Sequence, residues 1–130
     1  MLLFCGCSNS KNKISITPEY TCEFSCGDTT GNIRCDGNSV IFSDISVGTE
    51  TVGIVVSVTS DRYTVATANA KAEYLFGSGK EFPLAEFGQI LLTASQNGNS
   101  SVKVDKNGFI TSVTTGNGTT YTLQSHKKTQ

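Results

Sequence analysis

The feature that most constrains the fold of this chain is an Asn-Gly pair that recurs every ten residues in its last third. The pairs are Asn97-Gly98, Asn107-Gly108 and Asn117-Gly118. Asn-Gly is the strongest two-residue hairpin signal, because both central positions of a type I′ turn need positive φ. Three such turns, separated by arms of eight residues, predict a four-stranded antiparallel meander from about Gln89 to Gln124.

The middle turn has a second interpretation. The segment Asp105-Lys106-Asn107-Gly108 also fits a type I turn followed by a Gly bulge. That turn would change the register of the hairpin and place Ile110 in the core. The sequence leaves both registers open.

Length and composition predict the fold class around this meander. The chain has 130 residues, 37% of them apolar and 13 of them Gly, and it is rich in Thr, Ser and Asn. Thr suits a half-buried pleated surface, while Gly, Asn and Ser suit tight turns. We therefore expect an all-β protein, a small antiparallel β-sandwich with a C-terminal β-meander. At most one short helical turn is expected, within Phe82–Phe87, where Pro83 suits a first helical position.

The net charge and the single histidine argue against two classes of function, nucleic-acid binding and catalysis by a Ser/His/Asp arrangement. Ten Lys and Arg side chains against 11 Asp and Glu give a formal net charge of -1, so no basic surface for nucleic acid is expected. The only histidine, His126, falls in a polar tail, which leaves no Ser/His/Asp arrangement. We expect no enzyme, no cofactor and no bound metal.

Three cysteines lie close together with the spacing C-x3-C-x8-C. They are Cys22, Cys26 and Cys35. A structural zinc site needs four N or S ligands, and this cluster supplies three. We expect one disulfide among them with one cysteine left over, and the sequence does not choose the pairing.

The N-terminus changes character abruptly at Cys7. An apolar stretch, Met1-Leu2-Leu3-Phe4-Cys5-Gly6, precedes it, and a wholly polar stretch with two lysines, Ser8 to Lys13, follows it. This junction resembles the end of a bacterial lipoprotein signal peptide, with Gly6 at the small position and Cys7 as the lipidated residue. The resemblance implies a membrane anchor, a place in the bacterial cell envelope and an oxidising surrounding that favours the disulfide.

The predicted organisation follows from that boundary. Residues 1–7 are the leader, 8–20 a flexible tether, 21–124 a single β-sandwich domain and 125–130 a disordered tail.

The middle hairpin carries a second resemblance. In order, its residues Val104, Asp105, Gly108, Ile110, Thr111, Val113 and Gly116 match the pattern V-D-x-x-G-x-V-T-x-V-x-x-G. This resembles the closing hairpin of bacterial Ig-like domains of group 2. The resemblance implies an Ig-like sandwich of the kind used in surface adhesins and phage virion proteins, and it implies no catalytic residues.

Together these observations predict a non-catalytic, envelope-anchored lipoprotein that acts as a binding or assembly module. Its partner would be a protein or a surface glycan, in addition to the membrane that holds the anchor. The alternative is a phage-encoded or virion-associated Ig-like protein that decorates a particle or blocks a receptor.

Overall fold

A computed structural model of the protein describes residues 16–77, 82–97 and 101–128. Ten strands and one helix form within these ranges. In chain order they are β1 (Tyr20–Cys26), β2 (Thr29–Cys35), β3 (Val40–Val47), β4 (Glu50–Thr51), β5 (Val55–Val58), β6 (Arg62–Ala66), β7 (Lys71–Leu75), α1 (Pro83–Asn97), β8 (Val102–Val104), β9 (Ile110–Thr114) and β10 (Thr120–Lys128).

The strands join in one antiparallel sheet of order β7-β6-β5-β3-β2-β1-β10-β9-β8, and β4 pairs with β3. The pairing of β1 with β10 connects the strands that precede α1 to the strands that follow it. The predicted fold class, a small all-β domain with sandwich-like antiparallel sheet, is confirmed.

The core lies between the inner face of the sheet and α1, which contacts β3, β5 and β9. On β1 the alternating residues Tyr20, Cys22 and Phe24 are buried, while Glu23 is exposed, as period-two geometry requires. Phe24 meets Phe87 of the helix edge to face, with ring centroids 5.6 Å apart. Aromatic packing of this kind holds the helix against the sheet.

The helix corrects the predicted meander. It spans fifteen residues, Pro83–Asn97, where the sequence predicts one helical turn and then a strand from about Gln89. Apolar residues spaced by three, four and three positions lie buried along one side of it: Leu84, Phe87, Leu91 and Ala94. A helix buries all four against the sheet, whereas a strand would turn part of them to solvent. Asn97 is thus the last helical residue, and its neighbour Gly98 lies outside the described residues.

The second Asn-Gly pair lies in a turn that closes the β8–β9 hairpin. The Asp105 N–H donates to the Phe109 carbonyl at 2.9 Å, and Gly108 has φ of 87°. This is the type I turn with a Gly bulge, the second of the two registers considered, and Ile110 is fully buried. The turn at 115–119 repeats the pattern, with a bond of 2.8 Å between its ends.

The C-terminal segment also differs from expectation. The sequence predicts a disordered tail over residues 125–130, but β10 continues to Lys128 and pairs with β1. The His126 ring stacks on Phe109 with centroids 4.8 Å apart, and its Nε2 lies 2.7 Å from the Ile110 carbonyl oxygen. These contacts stabilise the polar C-terminal segment in the sheet.

The predicted tether also reaches the fold before its expected end. The Thr17 N–H donates to the Gly108 carbonyl at 2.8 Å, and β1 begins at Tyr20. Residues 8–15 of the tether lie outside the described part of the chain.

Candidate functional site

A cleft of about 600 Å³ opens at the N-terminal end of α1. The first turns of the helix, the β6–β7 hairpin with the residues after it, and the turn 115–119 line this cleft. Pro83 starts the helix, where its missing N–H and fixed φ cost nothing. The volume lies within the ~300–1,000 Å³ typical of small-molecule sites.

One wall of the cleft is aromatic. Tyr63 of β6 lies parallel to Phe82, with an interplanar angle of 9° and ring centroids 6.0 Å apart. The ring centroid of Phe76, which follows β7, lies 5.5 Å from that of Tyr63. Tyr63 thus packs against both phenylalanines, and these contacts help to hold the two rings in place.

Tyr121 of β10 also lines the cleft, and it packs against the core. Its ring stacks on Phe87 with centroids 4.1 Å apart and an angle of 13°. Burial raises the pKa of the Tyr121 hydroxyl, and the nearby Cys26 and Glu86 raise it further. The phenol therefore stays protonated and neutral at physiological pH.

The polar wall of the cleft includes two side chains from α1. The Glu86 carboxylate accepts a hydrogen bond from the Gly116 N–H through Oε2 at 2.8 Å. Gln89 donates from Nε2 to the Ser60 carbonyl at 3.4 Å. Each side chain is thus held by one of its two polar atoms.

The third polar side chain is Asn117, in the turn between β9 and β10. Its Oδ1 accepts from the Thr115 hydroxyl at 2.6 Å and from the Thr119 N–H at 3.1 Å. These bonds fix the amide plane, because one oxygen receives two donors from its own turn.

The anchored side chains leave a set of polar atoms for a ligand. Within the described residues, no partner is present for Glu86 Oε1, Gln89 Oε1 or Asn117 Nδ2. Two of these atoms accept hydrogen bonds and one donates them. Among the described lining residues, Glu86 carries the only formal charge and none is basic.

The three predicted disulfide cysteines are free thiols. Cys22 pairs with Ile33 across β1 and β2, while Cys35 pairs with Tyr20, so the two buried cysteines are diagonal neighbours. Diagonal positions lie about 7–8 Å apart, beyond the usual reach of a disulfide. Cys26 is four residues from Cys22 on the same strand, which separates them further. The disulfide expected among them is not formed.

The buried thiols are poorly suited to reaction. Burial raises the pKa of Cys22 to about 12, and it also raises the pKa of Cys35. Since the thiolate is the reactive form, both remain protonated near neutral pH. Beside them the Tyr20 hydroxyl is buried without a strong hydrogen-bond partner in the described part of the chain, and the Cys35 thiol, a weak acceptor, lies next to it.

Of the site residues expected from the sequence, Asn117 lines the cleft. Cys7, the expected lipidation site, lies outside the described residues. Sequence reasoning misses the aromatic wall and the two polar residues of α1. The sequence feature that could have indicated the aromatic wall is the pair of phenylalanines, Phe76 and Phe82, on either side of a Gly-rich break.

Comparisons with protein families, with curated proteins and with solved structures find no match to this chain. In the described ranges, no helix has the length and apolar character needed to cross a membrane. Residues 16–77, 82–97 and 101–128 also bring together no group of three His, Cys, Asp or Glu side chains that could hold a metal ion.

Proposed function

We propose that this protein is a non-catalytic, lipid-anchored component of the bacterial cell envelope that binds a ligand in the cleft beside α1. The cleft is the observation that carries the binding role. It brings three anchored polar side chains, Glu86, Gln89 and Asn117, together with an aromatic wall. Preorganised walls of this kind lower the cost of ordering on binding.

The residue types in the cleft favour binding over catalysis. Its described lining contains no His, Lys or Cys, the side chains that most often act as general base or activated nucleophile. One oxygen of Glu86 is already bonded to the Gly116 N–H. Without such a base beside them, the hydroxyl groups of the Thr and Tyr side chains in the lining can form hydrogen bonds with a ligand but are not activated as nucleophiles.

The proposed localisation in the cell envelope rests on the leader-like sequence that ends at Cys7. A lipid on Cys7 followed by the polar stretch Ser8 to Lys13 would separate the described domain, whose first described residue is Ile16, from the membrane. A single acyl chain gives only marginal anchoring, so the multiple acyl chains of a lipoprotein cysteine are needed for stable attachment.

The proposed localisation is tested by metabolic labelling. The chain is expressed in bacteria with a complete export leader and grown with radiolabelled palmitate, beside Cys7→Ser and the matched control Cys5→Ser. The wild type and Cys5→Ser should carry label and sediment with membranes, while Cys7→Ser should do neither. A wild type without label, or a labelled Cys7→Ser, would show that the proposed localisation is wrong.

A second candidate function is supported by the β8–β9 hairpin. Its residues match the group 2 bacterial Ig-like pattern, a family used in phage virions as well as in adhesins. A phage-encoded protein would decorate a particle or block a receptor with the same domain. Neighbouring genes for tail and capsid proteins, and co-sedimentation with virions, would favour this candidate. Neighbouring genes for envelope assembly or secretion would favour the first.

A further inference from the structure

We infer that the cleft binds a neutral carbohydrate, with a sugar ring lying on the aromatic wall and its hydroxyl groups bonded to the polar wall. This inference rests on the proposed binding function and names its ligand class. Three properties of the cleft support it: the arrangement of its rings, the mixture of its free polar atoms and its charge.

The aromatic wall provides a surface suited to the apolar side of a sugar ring. Phe76 and Phe82 are partly exposed, and each packs against the buried Tyr63, with ring centroids 5.5 and 6.0 Å from that of Tyr63. The C–H groups on one face of a pyranose are weakly positive and pack on the negative face of an aromatic ring. A cleft of about 600 Å³ has room for more than one sugar ring.

The polar wall matches the hydroxyl groups at the edge of that ring. A hydroxyl both donates and accepts, so neighbouring hydroxyls need a mixture of acceptors and donors. Glu86 Oε1 and Gln89 Oε1 accept, and Asn117 Nδ2 donates, while the other atom of each side chain is held by the protein. An acyl chain or another purely apolar ligand would form no hydrogen bond with any of the three atoms and would displace the water that solvates them, which costs free energy.

The negative charge of Glu86 disfavours anionic ligands of similar shape. Glu86 is negative, and no basic side chain stands among the described lining residues. A phosphorylated or uronic-acid ligand would be repelled by Glu86, and the described lining residues offer no cation to offset that repulsion. A small organic cation would pair with Glu86 but would leave the Asn117 amide donor without an acceptor.

The test uses the full chain and four neutral tetrasaccharides: cellotetraose, maltotetraose, mannotetraose and tetra-N-acetylchitotetraose. Binding is followed by chemical-shift changes in ¹⁵N-labelled protein and by calorimetry, at sugar concentrations up to the order of 10 mM. Tetragalacturonate, choline and a dodecyl maltoside monomer serve as anionic, cationic and apolar-tail probes. At least one neutral tetrasaccharide should shift the Asn117 side-chain amide and the residues around Tyr121.

Two variants and two matched controls locate the binding. Asn117→Asp keeps the oxygen that Thr115 and Thr119 need but replaces the donor, and Asn107→Asp makes the same change in the sister turn outside the cleft. Phe76→Leu shortens the aromatic wall, and Phe109→Leu makes the same change at a ring outside the cleft. The two cleft variants should weaken binding by about tenfold, and the controls by less than about twofold.

Failure of this inference is distinguishable from failure of the proposed function. If no neutral tetrasaccharide binds, or if only a charged or apolar-tail probe binds, the carbohydrate inference is overturned, while palmitate labelling still reports on the anchor. Equal binding by cleft variants and controls, with all four still folded by circular dichroism, also overturns it. Sugar binding that depends on Asn117 and Phe76 supports it whatever the labelling shows.

Discussion

Gly88 sits in the middle of α1 at the point where the helix comes closest to the sheet. A Cβ at this position would lie 2.8 Å from Val58 Cγ2 and 3.1 Å from Phe42 Cε2. Val58 and Phe42 are both fully buried, so neither side chain can swing into solvent to make room. Glycine therefore sets the distance between helix and sheet.

Two opposing effects decide the result of Gly88→Ala. Alanine favours a helix interior over glycine by ~0.8–1.0 kcal/mol. Forcing a methyl group into a well-packed core costs ~1–3 kcal/mol. Contacts below 3.0 Å essentially never occur for a real Cβ, which places the cost in the upper part of that range. We expect a net loss of about 1–2 kcal/mol in the free energy of unfolding.

The assay is urea unfolding of the wild type, Gly88→Ala, Val58→Ala and the double variant, compared at constant slope. Val58→Ala removes the methyl group that the added Cβ would strike, so Gly88→Ala should cost at least ~1 kcal/mol less in that background. A Gly88→Ala protein that is more stable than the wild type by ~1 kcal/mol would show helix propensity acting alone. That result would refute the close packing of α1 on β5 and β3.

Three further changes test other parts of the structure. Tyr20→Phe should stabilise the protein by about 1 kcal/mol, because the buried hydroxyl that it removes has only a weak acceptor, the Cys35 thiol, beside it; a loss of stability would show that this hydrogen bond is strong. Gly118→Val should cost about 1–3 kcal/mol and Gly118→Asn less, since φ is 90° with no atom near an added Cβ; equal costs in thermal unfolding would argue against this turn. The Asn38 and Ser39 N–H groups lower the pKa of Asp36, so its folded-state pKa lies below the unfolded value. The resulting stability is present above the unfolded pKa of about 4 and is lost as pH falls through the folded pKa, and Asp36→Asn should flatten that acid-side slope.

The alternation on β1 and the two described Asn-Gly turns follow from local chemistry that the sequence displays. On β1 the period of two is visible in the sequence, with Tyr20, Cys22 and Phe24 on one side. The turn residues Gly108 and Gly118 adopt positive φ, which glycine tolerates and other residues rarely do. The alternation and the turn residues depend only on neighbouring residues in the chain, so both can be read without knowing which distant segments come into contact.

The helix has its own signal in the sequence, but a competing signal obscures it. The spacing of Leu84, Phe87, Leu91 and Ala94 is helical, yet Asn97-Gly98 fits the ten-residue rhythm of the later turns. That rhythm indicates a hairpin, and a hairpin there requires a strand in the residues before it. Burial of a whole apolar stripe outweighs a two-residue turn signal, because tertiary packing provides most of a helix's stability.

The cleft could not be assembled from the sequence alone. Its walls come from Tyr63, Glu86 and Asn117, which are brought together by packing of α1 against a sheet whose order is not the chain order. The Gly116 N–H that holds Glu86 lies 30 residues further along the chain. Pairings at that separation depend on global topology, which local periodicity does not encode.

The most direct test of the central claim, the proposal that this cleft binds a ligand of the bacterial envelope, is sedimentation of the Cys7→Ser protein, in which the proposed lipid anchor cannot form, with isolated bacterial envelopes. We expect saturable binding that is retained in Phe109→Leu and lost when Phe76→Leu and Asn117→Asp are combined. Binding that does not saturate, or that is equal in the cleft variant and the control, would contradict the assignment of ligand binding to this cleft.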